Sequence, residues 1–326
     1  MSPDVFHDAL ILTGPTGSGK TQLSLALAER LGAEIVSMDS MALYRGLDIA
    51  AAKPGPAERT RVPHQLLDVL DPWESASVAW WLDQAARCCA DIQSRGRHVL
   101  FVGGTPFYLK ALLRGLFDGP GADPAVRTRL EREAEALGRA ALHNRLAAVD
   151  PATAARLHPN DVRRVVRALE VWETTGRPIS AWQQQWHAKG KANTADHPRC
   201  LWLDRPREEL YARIDARVHD MIAQGLVEEI AALRRLPLPV SREAAQAAGY
   251  REICAHLDGE ISLEEAVRAI QLRSRQLAKR QRTWFRSLPE CRPVNEALTF
   301  AGAGWTMIGG KDNSQLDASP PPAAVI

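Results

Sequence analysis

The run Gly14-Pro15-Thr16-Gly17-Ser18-Gly19-Lys20-Thr21 ends in a lysine and a hydroxyl residue and matches the pattern GxxxxGK[ST]. Its chemistry is phosphate binding. The glycines let successive backbone N–H groups turn inward around an anion, and the N-terminus of a following helix adds partial positive charge. Lys20 can neutralise phosphate oxygens, and Thr21 can ligate Mg²⁺. A glycine turn that only caps a helix is the plainer alternative. The pattern leaves open which phosphates are held: ATP kinases, GTPases and transferases that displace pyrophosphate all use such a loop.

A second group able to do chemistry is Asp39, which follows a strand-like apolar run. In a parallel sheet it lies at the C-terminal edge of the strands, on the same rim as the glycine loop, where ligands bind. Its plainer role is to cap the next helix. Arg213 and Arg217 stand four residues apart, which puts two guanidinium groups on one helix face, either solvated or facing an anion. The stretch Arg268–Arg286 carries Arg268, Arg273, Arg275, Lys279, Arg280, Arg282 and Arg286 interleaved with Trp284 and Phe285. A basic stripe with aromatics suits an RNA-binding helix, and a solvated face with Trp284 in the core is the alternative. His64 and His158, each beside a proline, read as structural hydrogen-bonders.

The elements that must position these groups are legible as alternating periodicities. Ala9–Thr13, Glu34–Met38, Arg97–Val102 and Cys200–Leu203 are short apolar runs, the form of buried parallel strands, and a helix is expected over Lys20–Leu31. Between Gly119 and Gly190 no strand candidate occurs, and helical text covers Arg127–Leu137, Ala140–Val149 and Asp161–Thr174. Further helices are expected over Arg207–Leu233, Ser241–His256 and Leu263–Arg286. The expected fold is therefore α/β, a P-loop NTPase-like parallel sheet flanked by helices, with an inserted all-helical subdomain. The core would comprise residues 1–118 and 191–308, the insertion 119–190, and a Gly/Ser/Pro-rich tail 309–326 is expected to be disordered.

Composition sets limits on partners. With 326 residues, 45% of them hydrophobic and 25% charged, the chain is of ordinary globular type, and its net charge of +2 permits RNA without demanding it. The five cysteines show no zinc-like spacing, which points to reduced thiols. The start of the chain has no basic segment before its short apolar run, and no run of about twenty apolar residues occurs. A cytoplasmic protein without a membrane partner is expected.

The text following the second strand resembles a known family. Asp39-Ser40-Met41-Ala42-Leu43-Tyr44-Arg45-Gly46-Leu47-Asp48-Ile49, then Ala52-Lys53-Pro54 and Pro63-His64, is similar to the tRNA dimethylallyltransferases (isopentenyl-tRNA transferases). The same family is suggested by Gly103-Gly104-Thr105 with Tyr108 and Lys110-Ala111-Leu112, and by Asp123-Pro124 with Arg127. His158-Pro159-Asn160-Asp161 leading to Arg163, Arg164 and Arg167, then Gly249-Tyr250, and finally Arg275 through Trp284, complete the order. Ala51 and Ala42 depart from the family pattern, which favours a threonine and a bulkier aliphatic residue there. The lack of a zinc finger in the tail fits the bacterial type.

The resemblance implies transfer of a dimethylallyl group from dimethylallyl diphosphate to the exocyclic N6 amine of the adenosine 3′-adjacent to a tRNA anticodon, with Mg²⁺ as cofactor and a monomeric enzyme. It implies Asp39 as general base, with Thr105 near the bridging oxygen and Lys20 on the leaving group. Gly14, Pro15, Thr16, Gly17, Ser18, Gly19, Lys20, Thr21, Arg213 and Arg217 would hold the diphosphate. Contacts with the anticodon stem-loop would come from Asp39, Ser40, Met41, Ala42, Thr105, Arg127, Arg163, Arg164, Val165, Val166, Arg167, Gly249, Tyr250, Arg251 and Arg280. Three other readings compete: a small-molecule or nucleoside kinase, a P-loop RNA-binding protein without chemistry, and an adenylate isopentenyltransferase. The kinase leaves the later motifs unexplained, the binding protein has no use for Asp39, and the adenylate enzyme needs neither the insertion nor the basic helix.

Overall fold

A computed structural model describes residues 3–116, 119–183 and 199–294. The tail 309–326 lies outside the described residues. All four expected strands form: β1 (Leu10–Thr13), β2 (Ala33–Ser37), β4 (His98–Gly103) and β5 (Cys200–Leu203). β3 (His64–Gln65) and β6 (Cys291–Val294) were not anticipated. The first is only two residues long, and the second exposes Arg292 and Pro293 in its middle, so neither writes a clear apolar run.

The six strands form one sheet in the order β3-β2-β4-β1-β5-β6, and every pairing is parallel. β1, β2 and β5 are buried along their whole length, which is why they read as continuous apolar runs rather than alternating ones. Glu34 is the polar exception in β2. It is 2% exposed and is held by Arg95, Arg97 and the Gln65 amide. Leu10, Leu12, Leu25, Ile35, Leu100, Leu201 and Leu203 pack into one cluster between the sheet and the helix Lys20–Leu31. Burying each such side chain contributes about 1.5–3 kcal/mol. Because the strands are parallel, β1, β2 and β4 all deliver their C-terminal ends to one rim.

The chain divides into two compact units. One contains the sheet, with Asp4–Ser75, Arg87–Gly104 and the described residues from 199 onward, and the other gathers Ala76–Ala86 and the described part of Thr105–Thr194. In the sheet unit the helical text Arg207–Leu233 becomes two helices, Arg207–Ala223 and Leu226–Arg234, because Gly225 takes a left-handed φ of +99° between them. The helix Leu263–Arg286 is one uninterrupted element of 24 residues opened by a Ser262/Glu265 capping box. Among the described residues no helix is long and apolar enough to cross a membrane.

The second unit is helical: Pro106–Arg114, Pro124–Leu137, Arg139–Val149, Pro151–Ala154 and Val162–Thr175. Asp123, Asp150 and Asp161 cap three of these helices by accepting backbone N–H bonds. Leu130, Leu142, Leu146, Val165, Val166 and Leu169 form its core. The carboxylate of Glu170 is fully buried there, accepting from Asp123 N (2.6 Å), Arg127 Nε (2.9 Å) and Arg167 Nη1 (2.7 Å). Glu170→Ala is expected to lower the stability of this unit by about 2 kcal/mol, toward the low end of what charged hydrogen bonds contribute because both arginines can turn to water. Denaturant unfolding monitored in this unit checks it, with Glu170→Gln showing a smaller loss.

Candidate functional site

The glycine loop leaves β1 and enters the helix Lys20–Leu31 at Gly19, which adopts φ +91° and so places the helix N-terminus against the loop. Lys20 folds back along the loop, donating to Gly14 O (2.8 Å) and Pro15 O (2.9 Å). Its ammonium is enclosed by the loop, and desolvation pulls its pKa down from 10.5 to about 8. Asp39 opposes that fall and Arg217 reinforces it, so these three groups sense one another. Arg217 is itself lowered by burial, with Asp39 again opposing.

Two arginines of the helix Arg207–Ala223 converge on the loop. Arg213 donates to Gly17 O at 3.0 Å and Arg217 to Thr16 Oγ at 3.4 Å. Their four-residue spacing thus faces the loop rather than solvent alone. Thr21 is exposed at the first turn of its helix. Its hydroxyl is a hard oxygen donor of the kind Mg²⁺ accepts, and such an ion usually takes few protein ligands and completes its shell with phosphate oxygens and water. Among the described residues no group of three or more His, Cys, Asp or Glu is placed to hold a metal ion.

Asp39 stands just beyond β2, half-buried, with Oδ1 accepting from Met41 N at 2.9 Å. No helix follows Asp39 for it to cap, since the next one begins at Pro56; the Met41 N–H bond closes a local turn instead, and Oδ2 makes no hydrogen bond to the described residues. The backbone of β2 and β4 meets closely here. Met38 N donates to Val102 O at 2.8 Å, and a Cβ on Gly103 would lie 2.1 Å from Met38 O. Only glycine permits that crossing, which fixes where Asp39 is presented. Thr13 Oγ donates to Gly103 O (2.8 Å), tying the exit of β1 to that of β4. Thr105 follows two residues after Gly103, half-buried, in extended conformation at the N-cap of Pro106–Arg114.

Ser40 and Met41 are half-buried beside Asp39, whereas Ala42 is 4% exposed and packs inward. The loop beyond is rigidly held: Glu229 accepts from the backbone N–H groups of Asp48, Ile49 and Ala50, and Lys53 is buried against Asp48 and Asp68. The two histidines serve as structural hydrogen-bonders, His64 with Val62 O and His158 with Asn160 N.

The candidate RNA-facing residues divide. In the helical unit Arg163 is exposed and Arg164 is exposed while paired with Asp161. Arg127 and Arg167 are engaged by Glu170, and the side chains of Val165 and Val166 lie in the core. In the sheet unit Gly249 takes φ +87° at the start of Tyr250–Leu257, with Tyr250 half-buried and Arg251 exposed. On Leu263–Arg286, Arg268, Arg273, Arg275, Arg282 and Arg286 pair with carboxylates, whereas Lys279 and Arg280 are exposed and make no ion pair with the described residues. Phe285 is core, 5.9 Å from the Trp202 ring. The basic stripe is thus mostly internal pairing, with one short cationic turn left open.

Sequence reasoning gave no site role to Gln281 or Arg205. Gln281 accepts from Thr16 N (2.9 Å) and donates to Gly104 O (2.7 Å), and Arg205 Nε donates to Ser18 O (2.7 Å). Each looks like ordinary polar text in its helix or loop, and only the tertiary approach to the glycine loop marks it.

The family is visible by comparison. A model described as IPP transferase matches residues 42–288, and one described as isopentenyl transferase matches residues 7–68. A protein of Geobacter metallireducens named tRNA dimethylallyltransferase is 52% identical over 85% of this chain and 89% of its own length. One of Geobacter sulfurreducens with the same name is 46% identical over 89% and 93%. The solved tRNA isopentenylpyrophosphate transferase of Bacillus halodurans has a TM-score of 0.63 and 38% identity, covering 88% of this chain and 90% of that one. A eukaryotic dimethylallyltransferase acting on tRNA has a TM-score of 0.70 and 28% identity, covering 88% and 74%. The order of its motifs, the site built around its glycine loop and these likenesses agree: the chain belongs to the IPP transferase family.

Proposed function

We propose that this protein transfers a dimethylallyl group from dimethylallyl diphosphate to the exocyclic N6 amine of the adenosine on the 3′ side of a tRNA anticodon. The observation that carries the reading is the pairing, on one sheet edge, of a phosphate loop flanked by Lys20, Arg213 and Arg217 with a carboxylate, Asp39, that is near enough to influence Lys20 and Arg217. A kinase would use the same loop, but the family likeness extends across most of the chain.

An aryl amine is a poor nucleophile because its lone pair is delocalised into the ring. As nitrogen bonds to the first carbon of the donor, Oδ2 of Asp39 takes the amine proton, and the carbon–oxygen bond to diphosphate breaks. Negative charge grows on the leaving group, where the loop N–H groups, Lys20, Arg213 and Arg217 meet it already in place. Thr105 contributes its hydroxyl near the bridging oxygen. Mg²⁺, held by Thr21 and the diphosphate, would supply further charge neutralisation.

The adenine must leave its stack to reach a strand-edge aspartate. The insertion, residues 119–190, binds the anticodon stem-loop through Arg163 and Arg164, with Arg251 and Arg280 adding phosphate contacts from the sheet unit. Such contacts orient the RNA more than they choose its sequence. The protein works as a cytoplasmic monomer in this account. Digestion of tRNA after reaction with labelled donor tests the site: label on the adenosine 3′ to the anticodon supports the reading, and label on another nucleotide or on free AMP alone overturns it.

Diphosphate binding is expected to weaken as pH rises above about 8. Lys20 has a folded pKa near 8, below its ordinary value, and a bound anion favours the protonated ammonium. Binding therefore takes up a proton near and above pH 8, and affinity falls as that proton becomes scarcer. Calorimetry of inorganic pyrophosphate binding in two buffers of different ionisation enthalpy measures this uptake.

A further inference from the structure

Gln281 lies on the inner face of the helix Leu263–Arg286, 7% exposed, and touches two of the strand-exit loops at once. Its Oε1 accepts from Thr16 N in the glycine loop at 2.9 Å, and its Nε2 donates to Gly104 O at 2.7 Å. The amide orientation is not arbitrary. A backbone N–H can only donate and a carbonyl can only accept, so a flipped amide would set donor against donor and acceptor against acceptor. The contact is also sterically exclusive, because a Cβ on Gly104 would come within 2.8 Å of Nε2.

The turn that carries Gln281 is itself anchored. Ala278 packs with Leu210 and Ile214, Phe285 is buried near Trp202, and Arg282 pairs with Asp204 at 2.7 Å. Leu210 and Ile214 belong to the helix that also carries Arg213 and Arg217. A hydrogen-bond chain therefore runs from Gly104 O through Gln281 and Thr16 to Arg217, whose Nη1 reaches Thr16 Oγ. Thr16 has its backbone N–H committed to Gln281, which sets the peptide plane at the third position of the loop. Gly104 immediately precedes Thr105 in the chain.

We propose that Gln281 is a positioning residue for the transfer reaction: its side-chain amide clamps the phosphate loop at Thr16 to the Gly103-Gly104 turn and so holds the loop in its diphosphate-binding shape. The assignment rests on the reading of this loop as a diphosphate site. It does not require Gln281 to touch RNA or donor.

Inorganic pyrophosphate, with Mg²⁺ and without RNA, is the probe, and its affinity is measured by calorimetry for wild type, Gln281→Met and Gln281→Glu. Gln281→Met keeps the side-chain length but leaves Thr16 N–H and Gly104 O without partners, and affinity should fall about tenfold while Arg163-side RNA binding is unchanged. In Gln281→Glu an ionised carboxylate faces the Gly104 carbonyl and repels the ligand, whereas a protonated carboxyl restores one donor and one acceptor. Its deficit relative to wild type should therefore shrink as pH is lowered through the range where a buried carboxyl gains its proton. A residue that served stability alone would lower the melting temperature of both variants without this pH-dependent recovery in affinity. Wild-type affinity in Gln281→Met, or a Gln281→Glu deficit independent of pH, would overturn the proposal. Failure of the wild type itself to bind pyrophosphate would overturn the diphosphate reading beneath it.

Discussion

Asp39→Asn should lower kcat for prenyl transfer by about 10²–10⁴-fold while leaving tRNA and pyrophosphate affinity at neutral pH close to wild type. The amide keeps an oxygen for the bond from Met41 N, so the turn that Asp39 closes survives and the loss is one of proton acceptance. Asp39→Ala removes the turn-closing bond as well and should add a stability loss of about 1 kcal/mol, that of one hydrogen bond. The substitution also removes a negative charge that favours the Lys20 ammonium. The comparison therefore belongs at pH 7, below the value near 8 at which Lys20 titrates. Rapid-mixing measurement of a single turnover isolates the chemical step. A kcat within a few-fold of wild type would remove Asp39 from the role of base.

Gly103→Ala should be the most damaging single methyl in the sheet unit. The added carbon would lie 2.1 Å from Met38 O, 2.2 Å from Met38 C and 2.7 Å from Met38 Cα, all backbone atoms of the segment leaving β2. No side-chain rotation can relieve such a contact, so the strands must separate. A cost of about 3 kcal/mol, the upper end for overpacking, is expected, together with displacement of Asp39 from the rim and loss of transfer activity. Gly121→Ala is the control, because a Cβ there meets nothing within 4 Å. Its effect should stay within about 0.5 kcal/mol. Denaturant unfolding of both variants reads the difference.

The sheet was legible because its central strands are buried on both faces and thus write unbroken apolar runs bounded by glycine or aspartate. β3 and β6 escaped for the converse reason: one is too short and the other carries exposed Arg292 and Pro293. Asp39 and the glycine loop were legible because local order fixes them, a strand followed at once by the group. Arg213 and Arg217 required the additional fact that their helix turns toward the loop, which resemblance supplied and spacing alone left open.

Charge was harder to interpret. The basic run from Arg268 to Arg286 looked like one surface, yet five of its seven cations meet Glu264, Glu252, Asp215 or Asp204, some of which lie far away in sequence. Arg127 and Arg167 likewise converge on Glu170, a residue that sits within the charged text of its helix and gives no local sign of being buried. Gln281 is the sharpest case. Its neighbours in sequence are cations, its partners are backbone atoms 265 and 177 residues away, and nothing local distinguishes it from a solvated side chain.

The glycine loop is assigned to prenyl transfer to RNA rather than to phosphoryl transfer or binding alone. The most direct test supplies purified protein with Mg²⁺, dimethylallyl diphosphate and tRNA, and counts pyrophosphate released against prenyl groups attached. One pyrophosphate is expected for each prenyl group, with release that depends on tRNA. Hydrolysis of ATP in its place, or tRNA that gains no prenyl group, would contradict this assignment.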